Sequence, residues 1–394
     1  MPQVPTSTAT VGFILVVSGT VLSIAGTDLV LPAVPTLPSV LGGTPSQAQY
    51  VLAAFEAGTG LGLLLFGELG ARFHPRWVLA ASLAAYGLVS WAGAYAGSLE
   101  SLILLRLIQG IAGSAPAVLA SALLRVLYPG NRSMRAIGRL GSVESLVPAL
   151  APIAGAWLLA RFGWRASFVA TGVLSLSVAA GIAMSRLPRV ASAHNGSYSA
   201  LLRNPVFLRF ALSHALSLGG LLVFVFGAPA VITGPLGGHL SDFIVLQVVG
   251  IAFFIIASSF AGRLSDRFGS EAMIMGGTIL CALGLLAVLI YAVAGGADPA
   301  MLVPPMILTN LGFGLRGPPG FLAAIVAAEG DDARGAALTV LAILAVASGG
   351  TVIAAPTVAT GLVGLAAAAA AISAAGVACL IVLPPAAPEL RPTA

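Results

Sequence analysis

Runs of about twenty apolar residues recur along the whole chain, and few charges interrupt them. Hydrophobic residues make up 58% of the 394 positions and charged ones 8%. A helix needs about 20 such residues to cross a hydrocarbon core, and only helices or closed barrels satisfy their backbone there. The runs lack the polar/apolar alternation over about ten residues that a barrel strand needs. The sequence therefore predicts an all-α membrane protein with about twelve transmembrane helices. The expected spans are 11–36, 47–70, 77–97, 99–127, 136–160, 165–186, 205–232, 241–262, 271–294, 299–327, 334–356 and 358–384. Ala-rich sequence blurs the edges of the last two. The first run is too long for a cleavable signal peptide and lacks its basic leader.

Lysine is absent, so all 18 basic residues are arginines. With the N-terminus cytoplasmic, 14 of these fall at cytoplasmic ends, namely Arg72, Arg76, Arg125, Arg132, Arg135, Arg139, Arg186, Arg189, Arg203, Arg209, Arg263, Arg267, Arg334 and Arg391. Arg161 and Arg165 fall outside, and Arg106 and Arg316 lie within spans. The asymmetry predicts both termini inside, in a cytoplasmic (inner) membrane. The basic balance thus follows from topology. It does not indicate a nucleic-acid partner, since no basic cluster is interleaved with aromatics. Cys281 and Cys379 lie in apolar spans and read as packing residues, not as a disulfide or a metal pair.

The stretch 188–204, with Pro188, Asn195, Gly196 and Ser197, reads as a cytoplasmic linker between six-helix halves 1–187 and 205–394. The halves echo each other. Gly67-Glu-Leu-Gly-Ala-Arg-Phe-His74 follows the second span and Gly262-Arg-Leu-Ser-Asp-Arg-Phe-Gly269 the eighth. Leu69, Arg72 and Phe73 match Leu264, Arg267 and Phe268 in register. Internal repeats of this kind characterise secondary transporters, whose substrate site lies between repeats near midplane.

Ionisable groups within spans are Asp28, Glu56, Arg106, Glu144, His214 and Arg316. A charge at membrane depth costs about 2.5–3.5 kcal/mol on insertion scales and by default marks a pathway or relay. Helical rise puts Asp28, Glu56 and Arg106 in the outer parts of the first, second and fourth spans, where they could share a layer. A carboxyl group in an apolar cavity holds its proton, and an approaching arginine releases it. Asp28 is therefore the expected proton or cation site, tuned by Arg106; a static buried ion pair is the structural alternative. Glu56 and Glu144 are further protonation candidates, or else carboxyls that snorkel or stay protonated. His214 reads as a hydrogen-bonded packing residue. Gln109, Asn310, Arg316, Phe55 and Phe224 are candidate substrate-pocket residues. Arg316 sits in Asn310-Leu-Gly-Phe-Gly-Leu-Arg316-Gly-Pro-Pro-Gly320, where the glycines and the proline pair are expected to weaken or break the tenth span. It reads either as a contact for an anionic substrate group, or as a counterion to an acid or a donor to freed carbonyls. Gly58, Gly60, Gly62, Gly110 and Gly113 permit close helix approach. No zinc, phosphate-loop or nucleophile-elbow motif is present, so neither an enzyme nor a resident cofactor is expected.

These residues resemble the major facilitator superfamily, and within it the twelve-helix drug:proton antiporters of the Bcr/CflA type, close to the chloramphenicol and florfenicol exporters. Thr27-Asp28-Leu-Val-Leu31-Pro32-Ala-Val-Pro35 is similar to the first-helix signature of that group. Arg106-Leu-Ile-Gln109-Gly110 resembles its fourth-helix motif, and Gly138 with Val147-Pro148-Ala-Leu-Ala151-Pro152-Ile-Ala-Gly155-Ala156 its antiporter motif. The resemblance implies efflux of small amphipathic compounds by alternating access, driven by a proton gradient without a cofactor. It also implies that Gly67, Arg72, Pro152, Gly155, Gly262, Asp266 and Arg267 serve the conformational cycle. The chain departs from the pattern at Ala71, where an acid is usual, at His74-Pro75-Arg76, at Ala151 and Ala156, and at Glu56 and Arg316. Loss of the acid at Ala71 predicts a resting state shifted inward. The expected partners are a small-molecule substrate and the bilayer, with the chain a monomer. The rivals are a transporter of the same fold that moves an anionic metabolite through Arg106 and Arg316, and a membrane sensor that binds without flux.

Overall fold

The computed structural model describes residues 6–128, 131–188, 198–329 and 332–385. The side chain of Ala71 lies outside the described residues, as do Arg189 and Arg391. The long helices are α1 (Thr6–Asp28), α3 (Pro45–Arg72), α4 (Pro75–Ala94), α5 (Leu99–Gly113), α6 (Ala115–Leu127), α7 (Asn131–Phe162), α8 (Arg165–Met184), α10 (Pro205–Thr233), α11 (Leu240–Phe268), α12 (Ser270–Val293), α13 (Val303–Val326), α14 (Asp332–Ala354) and α15 (Leu362–Val382). Two short helices, α2 (Leu37–Leu41) and α9 (Tyr198–Leu201), complete the set. Among the described residues, 11 spans are long and apolar enough to cross a membrane. The remaining expected span is α13. At 24 residues it is as long as its neighbours, but Asn310, Arg316 and its prolines dilute its apolarity.

Proline and glycine set the breaks inside spans. Pro32 has no N–H to offer the carbonyl of Asp28 four residues back, so α1 stops at Asp28 and the chain continues as a 3-10 turn, Leu31–Thr36, into α2. Pro116 likewise deprives Ala112 of a donor, and the fourth span divides at Ser114 into α5 and α6. Ser82 Oγ donates to that freed Ala112 carbonyl, and Ser23 Oγ donates to Gly113 O at 2.7 Å. Side chains of neighbouring helices thus satisfy the backbone that the break exposes.

The break expected in the tenth span is not found. Helix α13 runs unbroken through Pro318 and Pro319. A proline's fixed φ is itself helical. The steric penalty on the preceding residue comes largely from its Cβ, which Gly317 lacks. The blurred end of the chain resolves into α14, a 3-10 turn at Ala355–Thr357 and α15, with Gly361 at φ +140° at the junction.

The chain forms two compact units, one of Met1–Thr44 with Ala54–His194, the other of Asn195–Ala394 with Pro45–Ala53. The first turns of α3 thus group with the second unit. In the first unit α4 packs on α8 and α5, and α1 packs on α7, α6 and α8. Leu79, Leu83, Leu119, Leu123, Leu124 and Ile182 belong to one of its apolar clusters. In the second unit α10 packs on α14 and α15, and α13 lies against both α11 and α12.

Candidate functional site

The site in the first unit depends on a close crossing of α3 and α5. A Cβ on Gly58 would lie 2.1 Å from Leu107 O, and one on Gly110 would lie 2.1 Å from Phe55 O. Only glycine allows the two backbones to touch, as small residues do generally in membrane helix pairs. The contact lays Phe55 and Glu56 of α3 alongside Arg106 of α5.

Arg106 is fully buried. Its Nη1 donates to Gly26 O at 3.0 Å and to Gln109 Oε1 at 2.8 Å. Its guanidinium carbon stands 4.1 Å from the Phe55 ring centre, a desolvated cation–π contact. Gln109 Nε2 donates to Ser90 Oγ at 2.6 Å, and Ser90 Oγ donates to Tyr86 O at 2.6 Å. Tyr86 in turn donates its hydroxyl to Leu22 O at 3.0 Å. A network of α1, α4 and α5 therefore fixes the arginine beside the end of α1. Gln109, expected in the substrate pocket, has both ends of its amide engaged in this network.

Asp28 and Glu56 are both buried, at 8% exposure each. Thr27 Oγ1 donates to Glu56 Oε1 at 2.8 Å. Asp28 feels the charge of Glu56, and Glu56 feels that of Arg106. Glu56 thus lies within electrostatic reach of both Asp28 and Arg106.

The antiporter-motif residues of α7 complete this corner. A Cβ on Gly155 would lie 2.3 Å from Leu29 O, so Gly155 lets α7 close on the chain just past Asp28. Pro152 is buried in the same helix. Ser167 Oγ also donates to Leu29 O, at 3.1 Å. Glu144 is elsewhere. It is half-buried beside the hydroxyl of Thr20, eight residues before Asp28 and so about 12 Å down the axis of α1.

The remaining predicted residues disperse. Phe224 is fully buried in α10. Asn310 Nδ2 donates to Met306 O at 2.9 Å on α13. Arg316 is fully buried in the second unit and bonds Ser213 of α10, not the carbonyls freed by Pro318 and Pro319. At the helix ends, Arg72 pairs with Glu68 at 2.6 Å, both exposed. Arg267 lies over the Phe268 ring, and Asp266 is exposed. A Cβ on Gly67 or Gly262 would meet nothing within 4 Å. Sequence reasoning missed Thr27, Tyr86 and Ser90 as site residues, and Phe168, whose ring centre lies 5.9 Å from the Arg106 guanidinium carbon. Thr27 had a signal in its adjacency to Asp28; the others are ordinary residues of apolar spans.

Residues 16–354 match the family described as Major Facilitator Superfamily. The chain is 30% identical over 296 residues to the chloramphenicol resistance protein of Pseudomonas aeruginosa, covering 74% of this chain and 71% of that one. It is 26% identical over 258 residues to a bicyclomycin resistance protein homolog of Haemophilus influenzae, covering 63% and 65%. Among solved structures it resembles a D-xylose-proton symporter, with TM-score 0.71 and 16% identity over 94% of this chain and 97% of that one. It also resembles a bacterial homolog of the human lysosomal transporter Spinster, with TM-score 0.68 and 15% identity over 96% of both chains. At such identity these two structures speak to the fold alone.

Proposed function

The chain belongs to the major facilitator superfamily, and on that premise we propose that it is a proton-coupled exporter of small amphipathic, drug-like compounds. It is a multi-pass membrane transporter and not an enzyme. Relatives named for chloramphenicol, bicyclomycin and multidrug resistance support the substrate class. An anionic metabolite as cargo is not favoured.

The observation that carries the mechanism is the buried row of Asp28, Glu56 and Arg106. Two carboxyls in an apolar layer cannot both stay charged at low cost, because desolvation and mutual repulsion oppose it. One bound proton relieves both penalties. Arg106 opposes that proton through Glu56, so movement of α1 or α3 relative to α5 changes proton affinity. A substrate that draws these carboxyls closer to Arg106, or a cationic one that binds beside them, favours proton release, which is the exchange an antiporter needs. Gln109, Ser90 and Tyr86 position the arginine. Glu144 of α7, beside Thr20 of α1, is a further candidate for proton binding.

Pro152 and Gly155 set how closely α7 rides on the Asp28 corner, while Gly67, Arg72, Gly262, Asp266 and Arg267 serve the conformational cycle at helix ends. Asn310, Phe55 and Phe224 are candidate substrate contacts, Phe55 in the first unit and the other two in the second. The halves 1–187 and 205–394 alternate access as a monomer in an inner membrane, with both termini cytoplasmic, as the arginine distribution supports. Proteoliposomes with an imposed pH gradient test this reading. A cationic dye or a neutral phenicol should move against the proton flow, and Asp28→Asn should abolish the drive. Full gradient-driven flux in that variant would remove the proposal.

A further inference from the structure

The arginines at cytoplasmic ends are unevenly balanced by acids. Up to His194 there are eight of them against one acid, Glu68, which pairs with Arg72. From Asn195 onward there are six, against six acids: Asp266, Glu271, Glu329, Asp331, Asp332 and Glu389. The positive-inside bias orients the chain but does not ask for this difference between halves. The eleventh span opens on Asp331-Asp332-Ala-Arg334. Its counterpart six spans earlier, α7, opens on Asn131-Arg132-Ser-Met-Arg135 and adds Arg139.

Arg132, Arg135 and Arg139 are spaced by three and four residues, so they share one face of α7. All three are exposed, and none makes an ion pair or hydrogen bond among the described residues. Helical rise spreads them over about 10 Å. The same face continues into the membrane as Val143, Leu146 and Leu150, which are between 37% and 59% exposed. It reaches Trp157 near the far end of the helix, also exposed, where an interfacial anchor belongs. Large apolar side chains left outward on a membrane helix meet acyl chains, and the arginines beyond them stand at headgroup depth. Arginine suits a phosphate there, because its planar fork gives two parallel, charge-assisted donors to adjacent oxygens.

We propose that the cytoplasmic end of α7 is a binding surface for an anionic phospholipid of the phosphatidylglycerol type. Arg132, Arg135 and Arg139 hold the phosphate, and Val143, Leu146 and Leu150 take an acyl chain along the same face. The partner is a lipid because the basic ladder runs directly into an exposed apolar one; a soluble anion would use only the first. Basic clusters just cytoplasmic of a membrane helix attract anionic lipid in this way. The surface rests on the cytoplasmic orientation of these arginines and not on the transport reading, so binding is measured without flux.

The test is native mass spectrometry of the purified full-length protein in neutral detergent, titrated with phosphatidylglycerol or with phosphatidylcholine of the same chain length. Phosphatidylglycerol should be retained as a saturable adduct at concentrations where phosphatidylcholine is not. Each arginine removed should weaken retention about fivefold. Arg132→Gln/Arg135→Gln/Arg139→Gln should bring it to the level of phosphatidylcholine, and Arg203→Gln/Arg263→Gln, in the second unit, should change nothing. Equal retention of the two lipids, an unchanged affinity in the triple variant, or an equal loss in the second-unit variant overturns the proposal. Glycerol phosphate carries a phosphate without acyl chains and should not displace the lipid; displacement at equal concentration means a soluble-anion site and also overturns it. If the triple variant does not insert, Arg135→Gln alone leaves two of the three arginines to keep the orientation. Its fivefold loss remains readable, and an unchanged affinity in that variant overturns the proposal equally.

Discussion

The hydroxyl of Thr27 donates to the Glu56 carboxylate at 2.8 Å, between residues 29 positions apart in the chain. This bond ties the last turn of α1, where Asp28 sits, to the carboxyl nearest Arg106. It makes Thr27 a sensor of the protonation state of Glu56, since a bond to a charged acceptor is about twice as strong as one to a neutral one.

Thr27→Val keeps the shape and removes the donor. A hydrogen bond to a charged group is worth about 1.5–3 kcal/mol, so gradient-driven flux should fall by roughly tenfold or more. Substrate binding measured without a gradient should change little. Unchanged flux would show that Glu56 is held by other groups.

Arg106→Lys keeps the charge and loses the geometry. One ammonium cannot both lie over Phe55 and reach Gly26 O and Gln109 Oε1 as the planar guanidinium does. Coupled transport should be lost with the cation still present, and the melting temperature should drop by an amount equivalent to about 1–3 kcal/mol. Near-normal coupling in the lysine variant would mean that charge alone suffices.

Glycines in the same chain should separate into two kinds. Gly58→Ala and Gly110→Ala place a methyl about 2.1 Å from a backbone oxygen, and overpacking of this sort costs about 1–3 kcal/mol. Gly67→Ala and Gly262→Ala meet nothing and should leave the melting temperature unchanged while slowing transport. Paired melting and flux measurements distinguish the packing glycines from those the conformational cycle uses.

Ser82 and Pro116 form a local compensation. Ser82→Ala should destabilise by about 1–3 kcal/mol, because the Ala112 carbonyl loses its donor in a water-poor setting. Pro116→Ala restores a backbone N–H for that carbonyl, so the double variant should recover much of the loss. A melting-temperature cycle in which the two changes simply add would count against the pairing.

Much of the fold was legible in the chain, because the features that set it act locally. The run at 205–232 is observed as Pro205–Thr233, and the arrest of α1 at Asp28 follows from Pro32 four residues on. The Pro318-Pro319 pair misled for the same reason that it drew attention. Proline is a breaker on average, but its fixed φ is itself helical, and Gly317 without a Cβ relieves the clash on the residue before Pro318. The site was legible in its members and not in its wiring. Asp28, Glu56 and Arg106 stand out as charges in apolar runs, whereas Tyr86 and Ser90 carry no mark that separates them from neighbouring polar residues in membrane helices.

The sequence by itself determined that this is a chain of membrane helices, roughly where each lies, and which few groups are too costly to bury idly. Those follow from hydrocarbon thickness, helical rise and the backbone chemistry of proline and glycine, all short-range in the chain. Only the tertiary structure decided that Arg106 meets Gly26 across 80 residues, that Glu56 senses both Arg106 and Asp28, and that Arg316 has Ser213 and His214 for company and, among the described residues, no acid. Which faces meet depends on how closely backbones approach, and small residues such as Gly58, Gly110 and Gly155 set that approach between helices far apart in the sequence.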